Sequence, residues 1–190
     1  MDINPTNKFS NTIQYIGCDD ATLDLFESQY PLPNGMCYNS YLLLGERVAV
    51  MDSVDKRKTT ECLQKIEQFQ RTPDYLIIQH TEPDHSGSIG AFLEKYPNAT
   101  IVASRAALQF LEQFGYQPAH TLMVKHGDSL DLGGLTDLAL YQHSHGALAR
   151  CADDLCARGE DTRLCRCVWF VWCVFGVFGA LDRRGTQILH

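Results

Sequence analysis

Tyr75-Leu76-Ile77-Ile78-Gln79-His80-Thr81-Glu82-Pro83-Asp84-His85 is the stretch that decides how this chain is read. Its first four residues are apolar, with Pro73-Asp74 before them and a polar cluster after, the mark of a short buried strand. The cluster therefore begins where a strand ends and a loop takes over, a common place for a site held on a rigid scaffold. Residues 80–85 pack two imidazoles and two carboxylates into six positions.

Acids placed this close repel one another unless a cation offsets the charge, and a divalent metal does so. If the loop is extended, the alternating residues His80, Glu82 and Asp84 project to one side, and His85 adds a second imidazole. Carboxylate and imidazole with no thiol nearby suit iron, manganese or zinc better than copper(I) or an iron–sulfur cluster. Four donors within six residues exceed what one ion needs from so short a segment. Two adjacent metals sharing the loop is the better geometric account.

Outward from the cluster, strands and helices alternate, which predicts an α/β body. Residues 12–16 read as a first strand. Residues 40–45 and 47–51 flank Gly45-Glu46 as a hairpin, with Asp52 at its end. Residues 56–69 carry Cys62, Ile66 and Phe69 at helical spacing. A helix is expected from about residue 88 to 95, then a strand at 100–103. Ser104 is placed to cap a helix reaching Phe114 and ending at Gly115. Further strand is expected at 121–124 and 135–141.

At 190 residues with a net charge of -7, the chain can build one core, and it lacks the basic surface that nucleic acids or anionic membranes require. Its first 14 residues are polar, with no apolar core of a signal peptide. Only three of the eight cysteines, Cys18, Cys37 and Cys62, precede residue 143, and they suggest no disulfide framework. The expectation is a cytoplasmic, enzyme-like domain.

Four segments occur in order: Tyr38-Asn39-Ser40-Tyr41, Val50-Met51-Asp52, the run His80-x-Glu82-x-Asp84-His85-Ser86-Gly87, and Gly127-Asp128-Ser129-Leu130-Asp131-Leu132-Gly133-Gly134. Over residues 10–142 they resemble the metallo-β-lactamase-like domain of flavodiiron proteins, an αββα sandwich. Most hydrolases of that superfamily have histidine where this chain has Glu82, and the exchange marks the diiron branch. The resemblance implies that His80 and Glu82 hold one iron and Asp84 and His85 the other. It further implies reduction of dioxygen or nitric oxide, with electrons from an FMN in a flavodoxin-like domain, a rubredoxin-type donor, and a homodimer in which FMN serves a neighbouring subunit. A two-metal hydrolase is the alternative, with a noncatalytic fragment or apolar-anchored module as a third reading.

The resemblance also implies three later ligands: a histidine in a His-Trp-Pro-Asp motif, a bridging aspartate before Phe-Gly, and a distant histidine. His143 and His145 fall near the first, but no Trp-Pro-Asp follows them, and no flavodoxin domain for FMN is found. Residues 143–190 contain no Lys, Pro, Asn or Met, yet hold six of the ten Arg, five of the eight Cys and both Trp. The spacings of Cys151, Cys156, Cys165, Cys167 and Cys173 give no paired hooks for zinc. The apolar run at 167–181 is short of the roughly 20 residues that span a bilayer.

Reading the degenerate codons one base forward accounts for this segment. Codons 145–151 then permit Met-Val-His-Trp-Pro-Asp, and codons 164–173 permit Phe-Ala-Asp-Ala-Phe-Gly-Ser-Phe-Gly. Both glycines there are forced, because TGG followed by T gives GGT. The organisation expected is a partial diiron domain at 1–142 and an aberrant, out-of-frame tail at 143–190. A sheet left without its second half is expected to expose one face along residues 75–141, and the chain to lack turnover.

Overall fold

Short apolar runs bounded by turn formers become strands, and they assemble in the order expected of an α/β chain. The computed structural model describes residues 12–26, 30–33, 35–133 and 138–139. The strands are β1 (Ile13–Tyr15), β2 (Cys18–Asp20), β3 (Leu25–Phe26), β4 (Tyr30–Pro31), β5 (Met36–Tyr38), β6 (Tyr41–Leu44), β7 (Val48–Met51), β8 (Tyr75–Ile78), β9 (Thr100–Ala103), β10 (Thr121–Met123), β11 (Ser129–Leu130) and β12 (Leu138–Ala139). Among the described residues four α-helices lie between them: α1 (Thr59–Glu67), α2 (Pro83–Ser86), α3 (Ile89–Lys95) and α4 (Arg105–Gln113).

Six strands form the main sheet in the order β1-β6-β7-β8-β9-β10. The hairpin β6–β7 is antiparallel, as its turn demands, and β7, β8, β9 and β10 run parallel. Each parallel step is bridged by helix. Because such crossovers are right-handed and all step the same way, α1, α3 and α4 share one face of the sheet. The described residues thus supply one sheet and one helical layer of the metallo-β-lactamase-like sandwich, and β2–β5, β3–β4 and β11–β12 form separate two-stranded ribbons.

Central strands in a parallel sheet bury both faces, and here Leu76, Ile77, Ile78, Ile101, Val102 and Ala103 all have no solvent exposure. The expected bare face along 75–141 is therefore not found at β8 or β9. Exposure is confined to the edge strand β10, where Leu122 and Met123 are 39% and 48% exposed. α1 buries Cys62 and Ile66, one turn apart, against the sheet. Its first turn departs from expectation. Residues 56–58 form a 3₁₀ turn, because the Asp55 carboxylate accepts from the Arg57 N–H at 2.9 Å and tightens the chain there.

Ser104 caps α4 as expected, accepting from the Ala107 N–H at 3.2 Å, and Gly115 with φ of 85° ends it. Most of the strand expected at 135–141 lies outside the described residues. So do His143, His145, the five later cysteines and the apolar run at 167–181.

Candidate metal centre

β8 delivers the chain into the cluster at the carboxyl end of the sheet, and the backbone then tightens instead of staying extended. Glu82 takes an extended conformation as N-cap, Pro83 occupies the first helical position, and one turn of helix, α2, follows. Proline there forfeits no hydrogen bond and is preset in φ, so Glu-Pro starts the turn. This corrects the extended loop expected for His80, Glu82 and Asp84. Glu82 alone is extended, as the N-cap, while Asp84 and His85 sit on successive positions of a helical turn.

The cluster is tied down at both ends. The Gln79 N–H, at its start, donates to Asp52 Oδ1 at 2.7 Å. At its end, the His85 carbonyl accepts from the Ser53 N–H at 3.0 Å and from the Ser53 hydroxyl at 2.7 Å. Between them the Ser86 hydroxyl donates to the carbonyls of Thr81 and Glu82, each at 3.0 Å. Tyr116 reaches the Ser86 carbonyl at 3.4 Å from beyond α4. Asp52 and Ser53, just after β7, are thus the foundation of the loop. The sequence showed Asp52 at a strand end but assigned it no task, and nothing local marked Ser53.

His80 Nε2 lies 2.7 Å from Glu82 Oε1, and His85 Nε2 lies 3.4 Å from Asp84 Oδ2. The two imidazole centroids are 5.6 Å apart. All four side chains are therefore neighbours, drawn into two carboxylate–imidazole pairs. As they stand, no three His, Cys, Asp or Glu side chains among the described residues are gathered around one point as a metal cage. Glu82 is half exposed, while Asp84 and His85 are largely buried.

Electrostatics favour a cation on the inner side of the cluster. Burial raises the Asp84 carboxyl above its ordinary range and Glu82 adds to it, against the opposing pull of His85. For His85 burial disfavours the charged ring, but the carboxylates of Asp52, Asp84 and Glu82 outweigh it and push the imidazole up to about 9. Asp84 Oδ1 and His85 Nδ1 are buried without a hydrogen-bond partner. An orphaned buried polar atom costs about 1–3 kcal/mol, and a cation facing Asp84 would offset that cost. Two carboxylates and two imidazoles are also a donor set that iron accepts. The residues present fit the metal.

Residues 36–150 match the family model described as ODP family beta lactamase. Among curated proteins, the chain is 44% identical over 120 residues to putative diflavin flavoprotein A 1 of Thermosynechococcus vestitus, covering 62% of this chain and 21% of that protein. It is 33% identical over 136 residues to the anaerobic nitric oxide reductase flavorubredoxin of Vibrio vulnificus, covering 70% of this chain and 28% of that one. Among solved structures, rubredoxin oxygen:oxidoreductase from Desulfovibrio gigas superposes with a TM-score of 0.68 at 28% identity, over 74% of this chain and 37% of its own length. The chain thus spans only about a fifth to a quarter of the length of such diflavin flavoproteins. With the family model covering more than half its length, the chain belongs to the ODP family of β-lactamase-like domains, and its described part is a portion of the metallo-β-lactamase-like domain of a flavodiiron protein.

Proposed function

We propose that residues 80–85 are one side of a diiron centre, His80 and Glu82 holding one iron and Asp84 and His85 the other. The observation carrying this reading is the division of the four side chains into two adjacent carboxylate–imidazole pairs, with Asp84 Oδ1 buried and unpartnered. The irons, when bound, supply electrons and open coordination positions to dioxygen or nitric oxide, the substrates named for the Desulfovibrio and Vibrio relatives. The protein's part is to hold them. Ser53, Ser86 and Asp52 fix the loop before any ion arrives, so little ordering is left to oppose binding. Glu82, facing solvent, closes the outer side, and Asp84 and His85 the inner.

In the whole flavodiiron protein, FMN in a flavodoxin-like domain would relay electrons from a rubredoxin-type donor, across a homodimer in the cytoplasm. Among the described residues no helix is long and apolar enough to cross a membrane. The remaining ligands belong to the segment after residue 142, and the proposal for that segment is a one-base insertion in its coding frame. Residues 1–142 then carry a partial diiron domain, and residues 143–190 carry no ligand.

Anaerobic titration with ferrous ion tests the ligand set. The chain as it stands is expected to bind iron weakly and to show no turnover. Asp84→Ala and His85→Ala are expected to lower the affinity at least tenfold each, on the order of the loss seen when a metal's supporting residues are removed, while circular dichroism stays unchanged. Affinity indifferent to both substitutions would dispose of the assignment. Zinc rather than iron retained after expression would favour the hydrolase alternative. A pair of tightly held irons with oxygen consumption through added rubredoxin would overturn the out-of-frame tail.

A further inference from the structure

Asp52 is buried at the end of β7, with a φ of 56°. This left-handed conformation is uncommon outside glycine, and aspartate and asparagine are the residues with a Cβ that adopt it most readily. Four contacts hold it here. The Asp52 N–H donates to the Ile77 carbonyl at 2.9 Å, and its carbonyl accepts from the Ser40 hydroxyl at 2.8 Å. Its Oδ1 accepts from the Gln79 N–H, and its Oδ2 lies 3.3 Å from His85 Nδ1.

The His85 ring is thus set between two carboxylates, Asp52 on the Nδ1 side and Asp84 on the Nε2 side. The pose has Nδ1 near Asp52 but not aligned for a full hydrogen bond. At 3.3 Å the two atoms are within reach of one another, and a turn of the ring would bring them into line. We propose that Asp52 is a positioning residue for His85: its Oδ2 holds the Nδ1–H, which commits Nε2 to the Asp84 side as the metal-binding nitrogen. Carboxylate support of a ligating imidazole fixes both its orientation and its basicity. The left-handed backbone of Asp52 does the aiming. One carboxylate braces the loop at Gln79 and orients the ring at His85, so loop and ligand are set together. The inference deepens the ligand reading above and rests on it for its bearing on metal.

Asp52→Asn separates the two tasks. Asparagine tolerates the left-handed conformation, and its Oδ1 still accepts from Gln79. Its amide nitrogen replaces Oδ2 and cannot accept from Nδ1–H. Turning the amide over would set two donors face to face at Gln79. In NMR spectra of the isotope-labelled, metal-free chain, the wild type is expected to show a slowly exchanging Nδ1–H proton of His85, and Asp52→Asn to lose it. Cobalt(II) affinity should fall roughly 10–100-fold in the variant, with its urea midpoint little changed. A protected Nδ1–H that survives in Asp52→Asn overturns the proposal. So does its absence from the wild type, a result that needs no folded variant. A wild type that binds no cobalt(II) would remove the ligand reading, while the ring N–H still decides the role of Asp52.

Discussion

Gly87→Ala is expected to destabilise the chain by about 3 kcal/mol and to loosen the cluster it adjoins, the upper end of what overpacking costs. The reason is space and not conformation, since Gly87 has an ordinary helical φ of -61°. A Cβ there would sit 2.6 Å from the Lys56 backbone nitrogen and 2.7 Å from the Pro83 carbonyl oxygen. Neither atom can rotate aside. Lys56 is fixed by the 3₁₀ turn that Asp55 caps, and the Asp55 carbonyl is itself held by the Ser88 hydroxyl at 3.3 Å. The room must come from moving α2, which carries Asp84 and His85, away from Ser53. Gly90→Ala is the matched control. Its Cβ would meet only the Tyr116 ring at 3.2 Å, a side chain that can yield. Urea denaturation should separate the two variants clearly, and ferrous ion affinity should fall in Gly87→Ala alone. Equal midpoints would show that the tight approach at Lys56 relaxes without cost. The glycine that closes the cluster's motif is thus explained by Lys56, a neighbour far earlier in the chain.

That explanation shows where the sequence was legible and where it was not. Residues 75–78 and 100–103 announced themselves, because a short apolar run with Pro or Asn at its edge has few ways to be buried other than as a central strand. The hairpin around Gly45-Glu46 was readable for the same local reason. β2 and β5 were not, since three residues apiece carry no period, and they exist only through pairing with each other. The helical turn of α2 had a local signal in Glu82-Pro83, which the alternation of His80, Glu82 and Asp84 outweighed. The support of the cluster was hidden altogether. Asp52 and Ser53 act on residues more than two dozen positions away, and aspartate is only a weak sign of the positive φ that Asp52 adopts. The sheet's burial was also misjudged from sequence. Its central strands are covered on both faces, and only β10 stands exposed.

Deleting one base near codon 142 is expected to raise iron binding from weak and partial toward a pair of ions per chain, the largest change foreseen for this protein. Two carboxylates and two imidazoles leave each proposed ion with only two protein donors, too few to hold iron against water, whose affinity rises steeply with each added anionic ligand. In the forward frame, codons 145–151 can supply a histidine followed by Trp-Pro-Asp, and codons 164–173 an aspartate followed by Ala-Phe-Gly. A bridging carboxylate and one more imidazole are the donor types the loop lacks. The present frame supplies Arg, Cys and Trp in their place, over a segment with no proline or lysine to shape or solvate it. Such a composition is what a coding segment yields when its third-base freedom is moved into the first two positions. The restored chain should carry more iron on elution and consume oxygen once its flavin-bearing partner domain is supplied. Its edge strand β10, with Leu122 and Met123 exposed, should also lose its tendency to aggregate as the rest of the sandwich forms beside it. The coding DNA can refuse the idea before any protein is made. If codons 145–151 and 164–173 spell other residues one base forward, or meet a stop, the tail is in its native frame and the insertion is ruled out.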